Sequence, residues 1–285
     1  MLAKRFVTIL PDMTFEESME TMKIHSIAGI LSNENPIIIN RPFRAPHHTI
    51  SKSALIGGGK IPKPGEISLA HNGVLFLDEL TEFDKATIEV LREPLEEKSI
   101  NINRISGNYK FPSNFIFIAS TNPCPCGYFG SNKRKCKCTK NAVNRYLSKI
   151  SGPLLDRIDL HIEVNELDYE KIEDNNIMET SRQLKNRVNS ARNIQRIRYQ
   201  NETISSNSEL TPKLISKYCE LNLESKKMIK NSFEKLNLSA RAYYKIIKIA
   251  RTIADLEGKE NINKFHIAEA IQYRSLDKKY WEREE

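Results

Sequence analysis

The sequence predicts an α/β module followed by an all-helical one, and three observations carry that expectation. Two short runs, Val74-Leu75-Phe76-Leu77 and Phe115-Ile116-Phe117-Ile118-Ala119, are apolar without alternation, as in strands buried on both faces of a parallel sheet. Each run ends in polar residues, Asp78-Glu79 and Ser120-Thr121-Asn122, at the carboxyl end, where open α/β sheets bind their ligands. Beyond Asn165 the strand signals stop and helical periodicity takes over.

Composition bounds the reading. The chain has 285 residues, 39% hydrophobic and 28% charged, enough for one large or two modest globular domains. No apolar run approaches the roughly 18 residues of a membrane-spanning helix, and no signal peptide opens the chain. A cytoplasmic protein with no membrane partner is expected. The net charge of +8, from 44 basic and 36 acidic residues, bears on an anionic partner only where it clusters. Five cysteines in such a chain argue against a disulfide framework.

Leu2 to Val7 reads as helical from the start with no N-cap before it, as if the chain begins inside an element. A second helix is expected over Asp12–Ile30, with Phe15, Met19, Met22 and Ile27 on its apolar side. From Asn33 to Gly65, five prolines and Gly57-Gly58-Gly59 mark loops and short hairpins. The strand ending at Asp78 precedes a helix over Asp84–Lys98, then a hairpin over Ser99–Phe111 around Gly107. After the second strand come a cysteine-rich loop, a helix near Asn141–Lys149 and a short strand over Leu160–Val164. Helices follow over Met178–Tyr199, Thr211–Cys219, Glu224–Lys235, Ser239–Glu257 and Asn263–Arg274. Ser239 serves as N-cap and Gly258 as C′ stop of the fourth of these. The expected domains are residues 1–165, a connecting helix over 166–200, and a helical domain over 201–285.

Two adjacent strands ending in Asp78-Glu79 and in Asn122 form a chemical constellation. A carboxylate pair can serve a magnesium shell and an attacking water, while an amide on the neighbouring strand can hydrogen-bond a γ-phosphate or that water. An isolated Asp-Glu after a strand more often caps the next turn; the matching strand with Asn122 favours the site. Cys124-x-Cys126 and Cys136-x-Cys138 offer four thiolates in two close pairs, suited to a closed tetrahedral zinc site. Redox chemistry and four unrelated thiols are the alternatives. Lys133, Arg134 and Lys135 on that loop either contact phosphates or solvate a protruding knuckle. Cys219 reads as inert packing. The helix carrying Arg182, Lys185, Arg187, Arg192, Arg196 and Arg198 packs through Leu184, Val188, Ala191, Ile194 and Ile197. Its arginines face DNA or a neighbouring acidic surface.

The segment His71 to Leu80 resembles the Walker B segment of the magnesium-chelatase-like branch of AAA+ ATPases. Gly57-Gly58-Gly59 and Pro64 to Ala70 resemble the helix-2 insert of the same branch, and Ser120 to Gly127 its sensor 1 loop. Arg41-Pro42-Phe43-Arg44-Ala45-Pro46-His47-His48 and the cysteine loop resemble the YifB/ComM group. The resemblance runs from Met1 to about Arg274. It implies a partial AAA+ core (a parallel sheet with helices, without its P-loop strand) followed by an all-α lid. It implies that Asp78 holds magnesium, Glu79 activates water and Asn122 is sensor 1. Arg157, in Gly152 to Asp159, resembles the arginine finger, its bland alternative being a salt bridge to Asp156 or Asp159. Arg241, in Leu238 to Ala242, resembles the sensor 2 arginine that meets the nucleotide. The hairpin with Asn103, Arg104 and Lys110 resembles the presensor-1 hairpin, whose positive side chains grip nucleic acid on a ring axis or are simply solvated.

No G-x-x-x-x-G-K-[ST] occurs in the sequence, so the amides, lysine and hydroxyl that cradle a magnesium-bound triphosphate are missing. A split or decayed gene, a misassigned start, or a separate polypeptide supplying the Walker A half each account for this. The function implied is that of an ATP-driven hexameric DNA motor of the ComM type, using ATP and Mg2+, with Zn2+ in the cysteine loop, and inactive alone. A magnesium-chelatase ATPase subunit and a non-catalytic, zinc-bearing DNA-binding remnant are the alternatives.

Overall fold

The computed structural model describes residues 2–31, 37–105, 107–131, 133–164, 179–236, 238–274 and 281. The chain forms two compact units, one drawn from residues 1–8 and 12–157, the other from 9–11 and 158–285. The expected boundary at 165 and the start of the expected connecting helix lie outside the described residues.

Among its described residues the first unit holds seven short strands: β1 (Phe43–Arg44), β2 (Gly57–Gly58), β3 (Lys63–Pro64), β4 (Val74–Leu77), β5 (Ser99–Arg104), β6 (Gly107–Pro112) and β7 (Ile116–Ala119). A parallel sheet runs in the order β1-β4-β7, while β2-β3 and β5-β6 are antiparallel hairpins. β4 is central, and Val74, Leu75 and Leu77 have no exposed surface. Leu55, Ile67, Leu80, Phe83, Ile88 and Leu91 of the same unit are buried as well. β1, two residues between Pro42 and Pro46, lies where the sequence predicts loop; prolines flank it and leave room for little ladder. Gly73 opens β4 because a Cβ there would lie 2.1 Å from the Pro42 carbonyl oxygen, the same oxygen that accepts the Val74 N–H at 2.8 Å.

Several expectations need correction. β7 is not buried on both faces: Ile116 is 40% exposed, and among the described residues no strand pairs with the edge of β7 away from β4. Leu160–Val164 forms no strand. Among the described residues no strand pairs with it, and Leu160, Ile162 and Val164 are exposed. The helix expected over Asp84–Lys98 is two helices, Lys85–Glu89 and Arg92–Glu97. Pro94 can donate no hydrogen bond to the Val90 carbonyl, and its ring crowds that carbonyl, so the break falls one turn before it.

The second helix spans Phe15–Ala28 and starts at a capping box between Thr14 and Glu17. It buries Thr21 and Ile24, whereas Phe15, Met19 and Ile27 of the expected apolar side are exposed. Hydrogen bonds choose the face. Glu17 pairs with Arg41 at 2.8 Å, the Ser18 hydroxyl donates to the Ile38 carbonyl, and Glu20 meets His71. His71 accepts the Asn114 N–H at Nδ1, so its proton sits on Nε2 and points to Glu20.

The second unit contains helices Ser181–Arg198, Pro212–Tyr218, Leu223–Lys235, Ala240–Leu256 and Lys264–Gln272. Ser239 caps Ala240–Leu256 through the Ala242 N–H, and Gly258 follows it with φ 67°. Ala242, Ile246, Ile247, Ala250 and Ala254 of that helix are buried. Cys219 belongs to this core, where burial pushes its thiol up to about 11; so little thiolate forms that it is chemically quiet. Asp255, fully buried, receives Arg198 at 2.9 Å, Arg251 at 3.1 Å and the Asn207 amide at 2.8 Å. The first of these helices buries Ala191 and Gln195, not the whole expected stripe, and Ile197 is 60% exposed. Gln195 is drawn inward because it accepts the Asn207 N–H.

Two expectations follow. Asp255→Ala strands two arginines in the core of the helical unit and should cost that unit about 3–5 kcal/mol in denaturant unfolding. Burial lowers the His71 and His25 pKa values below the usual imidazole value of 6.5. The unfolded chain therefore takes up protons first as pH falls, and stability present above about 6.5 is lost below it. His71→Gln should flatten the fall in the first unit's unfolding midpoint between pH 7.5 and 5.5 (both pH values being assay choices, roughly one unit either side of the imidazole range).

Candidate functional site at the carboxyl ends of the parallel strands

Pairing of Leu77 with Ala119 places Asp78 opposite Ser120 at the carboxyl end of the sheet. The Ser120 hydroxyl donates to Asp78 Oδ1. Glu79 follows in the left-handed region, with φ 52° and ψ 52°, a conformation that costs a non-glycine residue roughly 1 kcal/mol. Its N–H is held by Asp78 Oδ1 at 3.2 Å and by the Ser120 hydroxyl at 3.3 Å. The Leu80 N–H then donates to the Ser120 carbonyl at 2.8 Å. The bend turns Glu79 out of the strand line and leaves its side chain exposed, while Leu80 enters the core.

A second rung joins the two strand extensions. Thr81, fully buried, meets Thr121 hydroxyl to hydroxyl at 3.1 Å. Lys149, just past the helix Lys140–Leu147, donates to the Thr81 carbonyl at 2.6 Å. Asn122 is exposed one residue beyond this rung, and its carbonyl accepts the Thr121 hydroxyl at 3.2 Å. The sequence reading missed Ser120, Thr81 and Lys149 as contributors. The register would have found Ser120, since it stands across from Asp78 once the strands are aligned.

Asp78, Glu79 and Asn122 thus stand on neighbouring strand ends. Arg157 lies in the same unit but is turned inward. It pairs with Glu96, and donates from Nε to the Arg92 carbonyl at 3.0 Å and from Nη1 to the Pro153 carbonyl at 2.7 Å. Its ion-pair partner is therefore neither Asp156 nor Asp159; Asp159 instead meets Lys245 at 2.7 Å within the helical unit. Arg241 belongs to that helical unit, exposed in the first turn of Ala240–Leu256.

The four cysteines converge. Sγ of Cys124 lies 3.4 Å from that of Cys126 and 3.7 Å from that of Cys136, and Cys126 and Cys136 are 3.6 Å apart. All four Sγ atoms fall within 4.8 Å of one another. Zn–S bonds of about 2.3 Å in a tetrahedron set sulfur separations of roughly 3.8 Å, so the set fits a tetrahedral thiophilic ion. Main-chain N–H groups of Tyr128 and Lys137 hold the Cys126 thiol down at about 6, while Cys136 and Cys138 in the same sulfur cluster are pushed up, so one thiolate is favoured ahead of the others.

Among the basic candidates, Arg104 and Lys110 are exposed on the β5–β6 hairpin, and Lys133, Arg134 and Lys135 on the metal loop. Arg134 lies 5.3 Å over the Tyr128 ring and donates to its hydroxyl at 2.7 Å. On the Ser181–Arg198 helix, Arg198 is taken by Asp255 and Arg187 by Glu179, which removes two of the cations expected to face a partner. No described helix is long and apolar enough to cross a membrane.

Parallel strands ending in an acid pair and in Ser-Thr-Asn, with a helical unit after them, define a partial AAA+-type core and its lid. The chain belongs to the magnesium chelatase family. Residues 1–172 match the family model for magnesium chelatase, subunit ChlI, and residues 178–274 match that for the subunit's C-terminal region. Within that family it is similar to the Competence protein ComM of Haemophilus influenzae, 43% identical over 97% of this chain and 53% of the relative. It is also 40% identical to the uncharacterized protein YifB of Escherichia coli, over 98% of this chain and 54% of the relative. A shorter match, 30% over 37% of the chain, is to an uncharacterized MCM-type protein of Methanocaldococcus jannaschii. The chain spans about half the length of the ComM and YifB relatives.

The strain at Glu79 is open to measurement. Glu79→Gly should be more stable than Glu79→Ala by about 1 kcal/mol in urea unfolding, because glycine enters the left-handed region without a Cβ clash. Equal stability of the two variants would contradict the conformation described.

Proposed function

We propose that this chain is the Walker B, sensor and lid portion of a ComM-type AAA+ motor that works on DNA. The observation that carries the proposal is the acid pair Asp78-Glu79, held beside Ser120, Thr121 and Asn122 at the open end of a parallel sheet. In this reading Asp78 orients the magnesium shell, Glu79 polarises water and Asn122 senses the γ-phosphate. Arg157 serves a neighbouring subunit of a ring, for which it must leave Glu96, and Arg241 meets nucleotide from the lid. These residues suit the metal end of a magnesium-bound triphosphate. The sequence supplies no G-x-x-x-x-G-K-[ST] cradle, so we derive no hydrolytic step from this chain alone. The edge of β7, unpaired among the described residues, suits a further parallel strand carrying that cradle, supplied by the rest of the protein or by a separate polypeptide.

The four cysteines hold zinc in this reading, in a compartment that keeps thiols reduced. Arg104 and Lys110 on the hairpin, and Lys133, Arg134 and Lys135 on the metal loop, contact the DNA backbone. A second reading, a zinc-bearing DNA-binding module without catalysis, rests on the gathered cysteines and the exposed basic residues of the hairpin and the metal loop.

Calorimetry and fluorescence anisotropy separate the two. The isolated, folded chain should give no micromolar ATP binding; such binding would remove the need for an added cradle. Anisotropy of a labelled oligonucleotide should show binding that weakens steeply with salt, with a shallower slope for Arg104→Ala and Lys110→Ala. Binding that needs ATP and a cradle-bearing partner supports the motor, and binding without either supports the module. No binding at low salt, with or without the partner, would reject both.

A further inference from the structure

The metal loop and the acid pair are built on the same residue. Thr81 lies three positions after Asp78, is fully buried, and receives two strands of chain at once. Its hydroxyl meets the Thr121 hydroxyl at 3.1 Å, three residues ahead of Cys124. Its carbonyl accepts Lys149 Nζ at 2.6 Å, and Lys149 follows the helix Lys140–Leu147 that starts immediately after Cys138 and Thr139. The entering and leaving stems of the cysteine loop are therefore clasped at their base by Thr81. The tip is gathered by four sulfurs within 4.8 Å.

The clasp is stiff on both sides. Thr139 caps the helix through the Ala142 N–H at 3.2 Å, and Val143, Tyr146 and Leu147 bury its inner face. Lys149 Nζ also lies 5.9 Å over the Tyr146 ring. On the other side, Cys124 has no exposed surface and begins two residues after Asn122. From Thr81 the main chain runs back through Leu80, whose N–H is fixed on Ser120, to the left-handed Glu79. A separation of the sulfurs reaches the stems because the first cysteine, three residues after Thr121, is buried, and the last immediately precedes the helix cap Thr139.

We propose that Thr81 is a positioning residue through which occupancy of the four-cysteine site sets the geometry of Asp78, Glu79 and Asn122. With a thiophilic ion bound, the stems are held parallel and the Thr81–Thr121 contact is kept. Without it, the sulfurs separate, Thr121 and Lys149 part from Thr81, and the left-handed turn at Glu79 loses its support. This rests on the reading of the cysteines as a metal site. It does not require that the chain hydrolyse ATP.

Hydrogen exchange on the full chain tests it, with zinc as the probe. The reduced chain is loaded with zinc, then stripped with a chelator under reductant, and peptide exchange is compared. Peptides covering residues 78–82 and 120–123 should exchange at least about tenfold faster without zinc, a shift of about 1.4 kcal/mol in local opening. Peptides of the β5–β6 hairpin and of Ala240–Leu256 should be unchanged. Thr81→Val should keep zinc, measured by metal analysis, yet lose the zinc dependence at residues 78–82, while Thr81→Ser should retain it. Thr121→Ala breaks the same contact from the other side and should behave as Thr81→Val does. Zinc release with unchanged exchange at 78–82 would overturn the proposal. So would zinc dependence that survives in both Thr81→Val and Thr121→Ala, or loosening of the hairpin in step with the site, which would mean that the whole unit unfolds. Failure of the reduced chain to take up zinc, or cobalt as its spectroscopic stand-in, would reject the metal reading and this coupling with it.

Discussion

The alignment of β4 against β7 is the constraint on which the rest of the first unit depends. Side chains alternate along a strand, so slipping the pairing by one residue would turn each of them to the other face. With Leu77 beside Ala119, the acid Asp78 stands across from the hydroxyl of Ser120. The next rung then falls between Thr81 and Thr121. The register is fixed from the opposite end as well. Gly73 lets the Pro42 carbonyl come within bonding distance of Val74, and the Gly73 carbonyl accepts the Ile116 N–H at 2.9 Å. A side chain at residue 73 would push β1 away from β4 before the first ladder bond could form.

The helical unit solves a different problem by different means. Its apolar positions pack through Ile246, Ile247 and Ala250, but its orientation is written in charge. Asp255 draws Arg198 and Arg251 together, and Arg251 also reaches the Lys259 and Glu260 carbonyls, each at 2.6 Å. One buried carboxylate thereby fastens the ends of two helices and the turn after Gly258. Such a network favours one arrangement of helices over other compact ones, since any alternative would leave a charge buried without its partner.

What could be read from the sequence and what could not divides along physical lines. β4 and its acids were legible because four apolar residues in a row, closed by two carboxylates, suit a buried strand and little else. The helix Ala240–Leu256 was legible because its apolar period, its cap and its glycine stop agree. The capping box at Thr14 and Glu17 was available in the sequence as Thr-x-x-Glu, though the expected start at Asp12 falls two residues before the cap. Which face of that helix is buried was not legible. The choice is made by Glu17, Ser18 and Glu20 bonding to Arg41, Ile38 and His71, contacts distant in sequence. β1 was invisible because a two-residue strand between prolines carries no period at all. The inward turn of Arg157 was likewise hidden, since Glu96 lies in a separate helix and nothing local marks it as the partner. The cysteine cluster was legible as a set, while its attachment to the acids through Thr81 needed the fold.

The edge of β7, on which no described strand pairs, bears on handling as well as on assembly. Its apolar residues Ile116, Phe117 and Ile118 border main-chain groups that no described strand satisfies on that side. In most proteins such an edge is charged, bulged or covered, because it is a template on which any extended chain can pair. Among the described residues nothing pairs with that edge, so it stands as such a template. Two copies of the chain at high concentration would compete for that edge with the strand proposed above to complete the sheet. In the proposed assembly, a companion segment that completes the sheet would also act as the chain's own solubilising agent.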